Sequence, residues 1–257
     1  MKTSRYDVLI AGGGVGGVAA ALRLTQYGYR VALTEETDWV GGQLTSQAVP
    51  PDEHGWIESF GCTATYRQFR NQVRQYYFDH YPVKAEFRKQ AHFNPGNGWV
   101  SPLCHEPGVA HRVLQSLLAP ALQKGLLSLY LQTVVREVHP SGATRSESAC
   151  IQNLATSGCE KIFFFYLLDA TENGDLLPLA DMEYRTGRES EAETGEPGAA
   201  ESTQPKNVQA ISACFVVEHH EGENHLIPEP QNYAFWRQYE PRLTPPWPGK
   251  LFSWETP

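Results

Sequence analysis

Apolar positions at the start of the chain change from a continuous run to a helical spacing and back again. Tyr6–Ala11 is a short, mostly apolar run, which predicts a strand leading into a glycine-rich turn. The apolar residues that follow are spaced as on one face of a helix: Val15, Val18, Ala19 and Leu22. Gly28 is placed to end this helix in a left-handed turn, and Arg30–Thr34 is a second apolar run. The pattern predicts a strand–helix–strand unit.

Two longer helices are predicted further along the chain. Thr65–Tyr77 lies in a segment rich in aromatic residues and histidine, and Glu106–Leu122 carries an apolar stripe that stops before Gly125. Pro120 predicts a kink or an earlier end of the second helix, because proline lacks the N–H group of a helical hydrogen bond.

The remaining apolar runs predict strands. Four of them are separated by short turns: Leu126–Gln132, Val134–His139, Ala149–Ala155 and Lys161–Leu168. The last contains the longest apolar stretch, IFFFYLL, which we interpret as one buried strand. A short strand is also expected after the turn-rich segment Asn94–Val100, and Val208–Glu218 is a further candidate.

The glycines between the first strand and helix follow a dinucleotide-binding pattern. Gly12, Gly14 and Gly17 satisfy G-x-G-x-x-G: the first permits the tight turn, the second lets a diphosphate approach the main chain, and the third lets helix and strand pack closely. The helix N-terminus offers unpaired N–H groups and the positive end of its dipole to that diphosphate. Glu35 ends the second strand, 18 residues after Gly17, where a carboxylate accepts hydrogen bonds from ribose hydroxyls and repels a 2′-phosphate.

A second glycine pair, Gly41–Gly42 followed by Gln43, indicates which dinucleotide is bound. This arrangement resembles the two-dinucleotide-binding flavoproteins of the glutathione-reductase-like superfamily, in which such a pair lies near the flavin side of FAD. The resemblance implies FAD as cofactor, with Glu35 on the adenosine ribose and the main chain at Val134 or Val135 against the adenine. It also implies an α/β fold: a Rossmann-like three-layer FAD-binding fold of parallel sheet, helices and β-meander, with an inserted aromatic-rich segment.

The segment LLDATENGDLLPLA, Leu167–Ala180, strengthens the resemblance. Asp169-Ala170-Thr171 stands in the place of the superfamily's A-T-G motif, and Gly174-Asp175 follows. The pattern is similar to the D-A-T-G-D-G-D-L of the FAD-dependent oxidoreductase domain family. Glu172 stands where that family often has glycine, and its side chain is expected to narrow the approach of the main chain to the cofactor.

The residues expected to contact FAD come from four segments of the chain. They are Gly12, Gly14, Val15, Gly16, Gly17, Glu35, Glu36, Gly41, Gly42, Gln43, Val135, Ala170, Thr171, Gly174 and Asp175. The catalytic residues are not assigned, because a flavin performs the electron transfer itself. Candidates near the flavin are Gln43, Ser46 and Gln47; possible proton carriers are His54, His92 and His105; possible redox thiols are Cys62 and Cys104.

Composition and charge exclude several other classes of protein. The chain has 257 residues, 41% hydrophobic and 19% charged, which suits a packed globular protein. Its net charge of −8 argues against general binding to nucleic acid or an anionic membrane. The apolar runs are too short to cross a membrane, and the N-terminus lacks the pattern of a signal peptide, so a cytoplasmic location is expected.

The five cysteines are widely spaced, and no two of them form a C-x-x-C pair. This spacing favours buried, reduced thiols over a disulfide framework or a zinc site, and no metal is assigned.

Four segments are expected along the chain. Residues 1–49 and 106–183 form the two parts of the FAD-binding domain, and residues 50–105 form an insertion that covers the flavin. Residues 184–257 form either the start of a substrate domain or an acidic loop with an aromatic tail. The later segment that completes the FAD domain in the superfamily has no counterpart here. We expect a fragment of a longer flavoprotein; the alternatives are completion by a partner chain and a genuinely reduced form of the domain.

The function predicted from these motifs is that of an FAD-dependent oxidoreductase. Hydride or electrons would pass between a small organic substrate and the flavin. An alternative is a non-catalytic FAD-binding or electron-transfer subunit that a partner chain completes. A simple NAD-dependent reductase is disfavoured by Gly41–Gly42 and by the Asp169–Asp175 segment.

Overall fold

The computed structural model describes residues 2–140, 146–209, 211, 213–218, 220–243 and 249–251. Contacts divide the chain into two compact units, Met1–Val216 and Val217–Pro257. The strands found among the described residues all lie in the first unit, and the second contains one short helix. The division into four segments at residues 49, 105 and 183 stays a prediction.

The helices of the described residues are α1 Val15–Gln26, α2 Ala64–His80, α3 Ala85–Arg88, α4 Pro107–Gln123, α5 Leu176–Leu179, α6 Glu191–Thr194 and α7 Tyr233–Gln238. The strands are β1 Lys2–Arg5, β2 Val8–Ala11, β3 Val31–Thr34, β4 Leu127–Tyr130, β5 Thr133–Pro140, β6 Ser146–Asn153, β7 Cys159–Phe163 and β8 Tyr166–Asp169. A 3-10 turn spans Gly42–Leu44. Within the described part of the chain, no helix is long and apolar enough to cross a membrane.

A parallel sheet forms the centre of the first unit. Its strands lie in the order β4-β3-β2-β8, and Ala11 pairs with both Thr34 and Asp169. The carboxyl ends of β2, β3 and β8 therefore meet at one edge, where doubly wound sheets bind their ligands. β2 and β3 are buried along their whole length, as expected for strands covered on both faces.

Two different layers cover the faces of this sheet. Helices α1, α2 and α4 pack on one face around Val8, Ile10 and Leu33. The second sheet, in the order β1-β7-β6-β5, packs on the other face around Leu9 and Ala32. Strands β5, β6 and β7 form an antiparallel meander. The three-layer fold of helices, parallel sheet and meander is therefore confirmed.

The prediction of one strand over Lys161–Leu168 is wrong. The chain changes sheets at Phe164–Phe165, so β7 belongs to the meander and β8 to the central sheet. Phe164 is 6% exposed and Phe165 is 53% exposed. An uninterrupted apolar run predicts extended chain, but it does not show where the chain leaves one sheet for another.

Other local expectations differ from the structure. The polar strand β1 was missed, because its main chain pairs with β7 while its side chains stay largely exposed. Helix α4 continues through Pro120 to Gln123, so an earlier end is wrong. No strand follows Asn94–Val100 directly, and none occurs among the described residues of Val208–Glu218, namely 208, 209, 211 and 213–218. Burial of the thiols is confirmed for Cys104 and wrong for Cys159 and Cys214, which are exposed.

Candidate functional site

The corner between β2 and α1 has no room for side chains on two of its glycines. Gly12 has a φ of +95°, and a Cβ atom there would lie 2.2 Å from the carbonyl oxygen of Ala170. A Cβ atom on Gly17 would lie 1.9 Å from the carbonyl oxygen of Gly12. Both positions therefore require glycine so that the corner, helix α1 and the end of β8 can pack together.

Gly14 differs from these two glycines. It is the N-cap of α1, with a φ of −63° that any residue can adopt. The nearest heavy atom to its Cβ position is Oε1 of Glu172, at 3.0 Å. Gly14 therefore presents bare main chain at a helix N-terminus, as diphosphate binding requires, but it is buried and the end of the Glu172 side chain lies against it.

Glu35 lies at the end of β3 and turns back towards this corner. One carboxylate oxygen, Oε2, accepts a hydrogen bond of 3.0 Å from the backbone N–H of Gly13. The other, Oε1, accepts hydrogen bonds from the backbone N–H of Thr37 at 2.9 Å and from its hydroxyl at 2.7 Å. Glu35 is only 6% exposed, so these bonds fix its orientation. Only Oε2 keeps a lone pair that can accept from a further donor, because both lone pairs of Oε1 accept from Thr37.

A cleft of about 230 Å³ opens at this edge of the central sheet. Most of the residues predicted to contact FAD line it: Gly12, Gly14, Glu35, Glu36, Gly42, Val135, Ala170, Thr171 and Asp175. The predicted flavin-side residues Ser46 and Gln47 line it as well. The cleft is thus assembled from segments that are far apart in the sequence.

The other predicted contact residues lie outside the cleft. Val15 and Gln43 line a neighbouring cavity. Gly16 is exposed, and Gly17 packs against the main chain of Gly12. Gly41 packs against Leu114. Gly174 lies in a turn with a left-handed φ of +70°. The backbone N–H of Gly41 donates a hydrogen bond to the carbonyl of Gly13, so Gly41 stabilises the corner without lining the cleft.

Sequence reasoning missed several residues that line the cleft: Ala11, Thr34, Thr37, Thr133, Asn173 and Leu176. Ala11 and Thr34 end β2 and β3, and Thr133 begins β5, where its N–H donates to the carbonyl of Glu35 at 2.8 Å. The position of Ala11 and Thr34 at the carboxyl ends of parallel strands was the signal that could have identified them.

The side chain of Glu172 occupies the space between the two glycine turns. Its Oε1 lies 3.0 Å from the Cβ position of Gly14 and 3.0 Å from that of Gly42. The sequence predicted that this side chain narrows the approach to the main chain, and its position agrees. A ligand that contacts the main chain of both turns would have to displace this side chain.

We therefore expect Glu172→Gly to strengthen FAD binding by about tenfold, since a negative charge next to the diphosphate opposes binding. Glu172→Gln removes the negative charge but keeps the size of the side chain, so it should show part of the increase in FAD affinity. The FAD dissociation constant, measured by quenching of flavin fluorescence, checks this. Glu183→Gln, an exposed acid outside the cleft, is the matched control. Equal affinities in wild type and both Glu172 variants would contradict the expectation.

A second cavity of about 420 Å³ adjoins the chain at Val15 and Gln43, the residues that directly follow Gly14 and Gly42. His54, Cys62 and Tyr66 also line it. His54 accepts a hydrogen bond at Nδ1 from the backbone N–H of Trp56, which leaves its proton on Nε2. Of the candidate proton carriers and thiols, His92, His105 and Cys104 line neither cavity.

Buried charges hold the wall of this second cavity in place. Arg70 is fully buried and pairs with both Glu53 and Glu58, while Arg74 pairs with Glu58. The hydroxyl of Tyr66 donates to Glu53. Burial, followed by this hydrogen bond, raises the pKa of Tyr66.

The family model of FAD dependent oxidoreductases matches residues 7–255. No relative was found among the curated proteins.

Several solved structures are similar to parts of the chain. THI4 of Thermovibrio ammonificans is 18% identical with a TM-score of 0.40, over 70% of this chain and 64% of that one. A flavoprotein/dehydrogenase of Cytophaga hutchinsonii is 18% identical with a TM-score of 0.43, over 72% and 44%. L-proline dehydrogenase of P. horikoshii is 20% identical with a TM-score of 0.36, over 66% and 23%. The chain therefore spans between 23% and 64% of these structures.

The family match extends over almost the whole sequence and includes both glycine turns and the Asp169–Asp175 segment. It confirms the predicted resemblance and, with it, FAD as the cofactor. This chain belongs to the family of FAD-dependent oxidoreductases.

Proposed function

We propose that the chain binds FAD across the carboxyl edge of its central sheet and exchanges hydride or electrons with a small organic substrate. The observation that carries this proposal is the corner at Gly12–Gly14, where bare main chain, a helix N-terminus and Glu35 face one cleft. In this proposal the adenine lies by Val134 and Val135, and the ribose lies by Glu35. The diphosphate lies between Gly14 and Gly42.

The flavin end of the cofactor then points towards the second cavity. This direction is supported by the order of residues, since Gly42 lines the cleft and Gln43 lines the second cavity. When bound, FAD supplies the electron transfer, and the protein supplies position and polarity. Gln43 would hydrogen-bond at the flavin edge, and His54 would donate a hydrogen bond to the substrate from its protonated Nε2. We propose the second cavity as the substrate side.

A spectrum of the purified chain tests the proposed site. We expect added FAD to bind with a perturbed flavin absorbance band, and mass spectrometry of the released cofactor to identify FAD. Substrates can then be screened by bleaching of that band under anaerobic conditions. A chain that leaves the spectrum of free FAD unchanged would contradict the proposed site.

Removing the charge of Glu35 should weaken FAD binding. Glu35→Gln keeps the shape of the side chain, but an amide offers one acceptor oxygen in place of two. We expect the dissociation constant to rise at least about tenfold, since a hydrogen bond to a charged group is worth about 1.5–3 kcal/mol. Glu36→Gln is the neighbouring control, and it should have a smaller effect because Glu36 lines the cleft without bonding to the corner.

The alternative is an electron-transfer subunit that a partner chain completes. The two proposals differ in the bleaching experiment. The enzyme should be reduced by a small substrate, whereas the subunit should be reduced only by a protein donor or a chemical reductant. Both require the same FAD site.

A further inference from the structure

A group of three different metal-binding side chains lies on the meander, outside both cavities. Glu137 and His139 are on β5, and Cys150 is on the neighbouring strand β6. A carboxylate oxygen, a ring nitrogen and the cysteine sulfur all lie within 4.8 Å of one another. The cavities described above do not include these residues.

A β-bulge brings these residues to one face of the meander. Val135 pairs with Ile151 and Glu137 pairs with Cys150, so Arg136 is the extra residue between them. Val135 and Val138 are buried while Arg136 and Glu137 are exposed, so the bulge turns Glu137 outward and places it opposite Cys150. Without the bulge, the alternation of a regular strand would send Glu137 to the same face as Val135.

The separations suit one zinc ion. Zinc bonds of about 2.0 Å to nitrogen or oxygen and about 2.3 Å to sulfur place tetrahedral ligand atoms roughly 3.3–3.8 Å apart. Nε2 of His139 lies 3.6 Å from Oε2 of Glu137, within that range. The sulfur of Cys150 lies at most 4.8 Å from the other two ligand atoms. Only a small movement of these half-buried or exposed side chains is needed to bring all three to bonding distance of one ion. The fourth position remains for water.

The donor types and the charges favour zinc over magnesium or calcium. A thiolate and an imidazole are ligands of soft and borderline metals, whereas magnesium and calcium prefer oxygen ligands alone. Binding would displace the thiol proton of Cys150 into solvent, and the thiolate and Glu137 would then balance the two charges of the ion. Lys161 is on β7 and pairs with Cys150 of the neighbouring strand β6. It is therefore the cationic side chain in the same row across the sheet.

We propose that Glu137, His139 and Cys150 bind a zinc ion that joins β5 to β6. The other end of β5 carries Thr133 and Val135, which line the FAD cleft. The ion would therefore fix the hairpin that supplies the adenine side of that cleft. The proposal does not depend on the flavin chemistry.

Cobalt(II) is the probe, because its spectrum reports thiolate ligands and tetrahedral geometry. The full chain, without a histidine tag, is reduced, freed of metal and titrated with cobalt(II) under anaerobic conditions. We expect a saturable thiolate-to-cobalt absorbance band that added zinc removes. Cys150→Ser should abolish the band. His139→Ala should weaken zinc binding at least about tenfold, as expected for loss of one ligand.

Three controls separate this site from other thiols and histidines. Cys159→Ser changes the thiol on the adjacent strand β7, and Cys214→Ser changes an exposed thiol in a different segment. The double variant His220→Ala/His225→Ala removes another cluster of metal-binding side chains, which contains no cysteine. All three controls should keep the band. Circular dichroism of each variant shows that the chain is folded.

Several outcomes would overturn the proposal. These are no band in the wild-type chain at millimolar cobalt, a band that persists in folded Cys150→Ser, and loss of the band in either cysteine control. If Cys150→Ser fails to fold, His139→Ala decides the question, because unchanged zinc affinity in that variant excludes the site. Failure here leaves FAD binding unaffected, so the two proposals can be judged separately.

Discussion

Replacement of Gly14 by valine is expected to weaken FAD binding by at least about a hundredfold, a loss of roughly 2.7 kcal/mol. The reason is steric, since branched carbons at this position fill the space in which the diphosphate would contact the main chain. The fold should tolerate the change, because the φ of Gly14 is −63° and its Cβ position meets only the end of the Glu172 side chain. Fluorescence titration with FAD measures the loss.

Gly16→Ala is the matched control for this variant. Gly16 lies two residues further along, is exposed, and has no heavy atom within 4 Å of its Cβ position. The alanine keeps the backbone N–H, so FAD affinity should stay within about twofold of wild type, or roughly 0.4 kcal/mol. Unchanged affinity in Gly14→Val with a preserved circular dichroism spectrum would refute the assignment of the diphosphate to this corner.

Replacement of Arg70 by alanine is expected to lower the free energy of unfolding by about 3–5 kcal/mol. Arg70 is 0% exposed and pairs with Glu53 and Glu58. Its removal leaves the buried carboxylate of Glu53 without a cationic partner and opens a cavity beneath helix α2. Chemical denaturation followed by circular dichroism measures the change.

Arg67→Ala on the same helix gives the control. The side chain of Arg67 is 26% exposed, and its nitrogen lies 3.4 Å from Glu58. A partly exposed pair at this distance contributes at most about 1 kcal/mol, so Arg67→Ala should be much milder. Similar losses for the two variants would show that burial of Arg70 is not what makes its ion pairs important.

The pairing of Arg70 and Arg74 with Glu58 also sets the direction in which the stability of the fold changes with pH. Burial alone would raise the pKa of Glu58, but hydrogen bonds and charge from Arg74 and Arg70 outweigh it and hold the pKa below its usual range. A lowered pKa in the folded chain means that this contribution to stability is present above the unfolded value and is lost as the pH falls through the folded value.

The sequence alone determined the first strand–helix–strand unit, the family and the cofactor. These depend on local rules: a glycine is required wherever main chain must approach main chain, and an apolar run or helical spacing marks what must be buried. Gly12, Gly17 and Glu35 lie where those rules placed them. Helices α2 and α4 follow the same spacing, with ends that differ by one to three residues from the prediction.

Only the tertiary structure decided which residues meet. The change of sheet at Phe164–Phe165, the position of Glu172 between two glycine turns, and the arrangement of Glu137, His139 and Cys150 each depend on pairing between strands. A run of apolar residues does not specify which strands will lie beside it. A single bulge at Arg136 reverses the face on which the following side chain lies. Distances between segments are set by the packing of the whole sheet, which local sequence patterns do not encode.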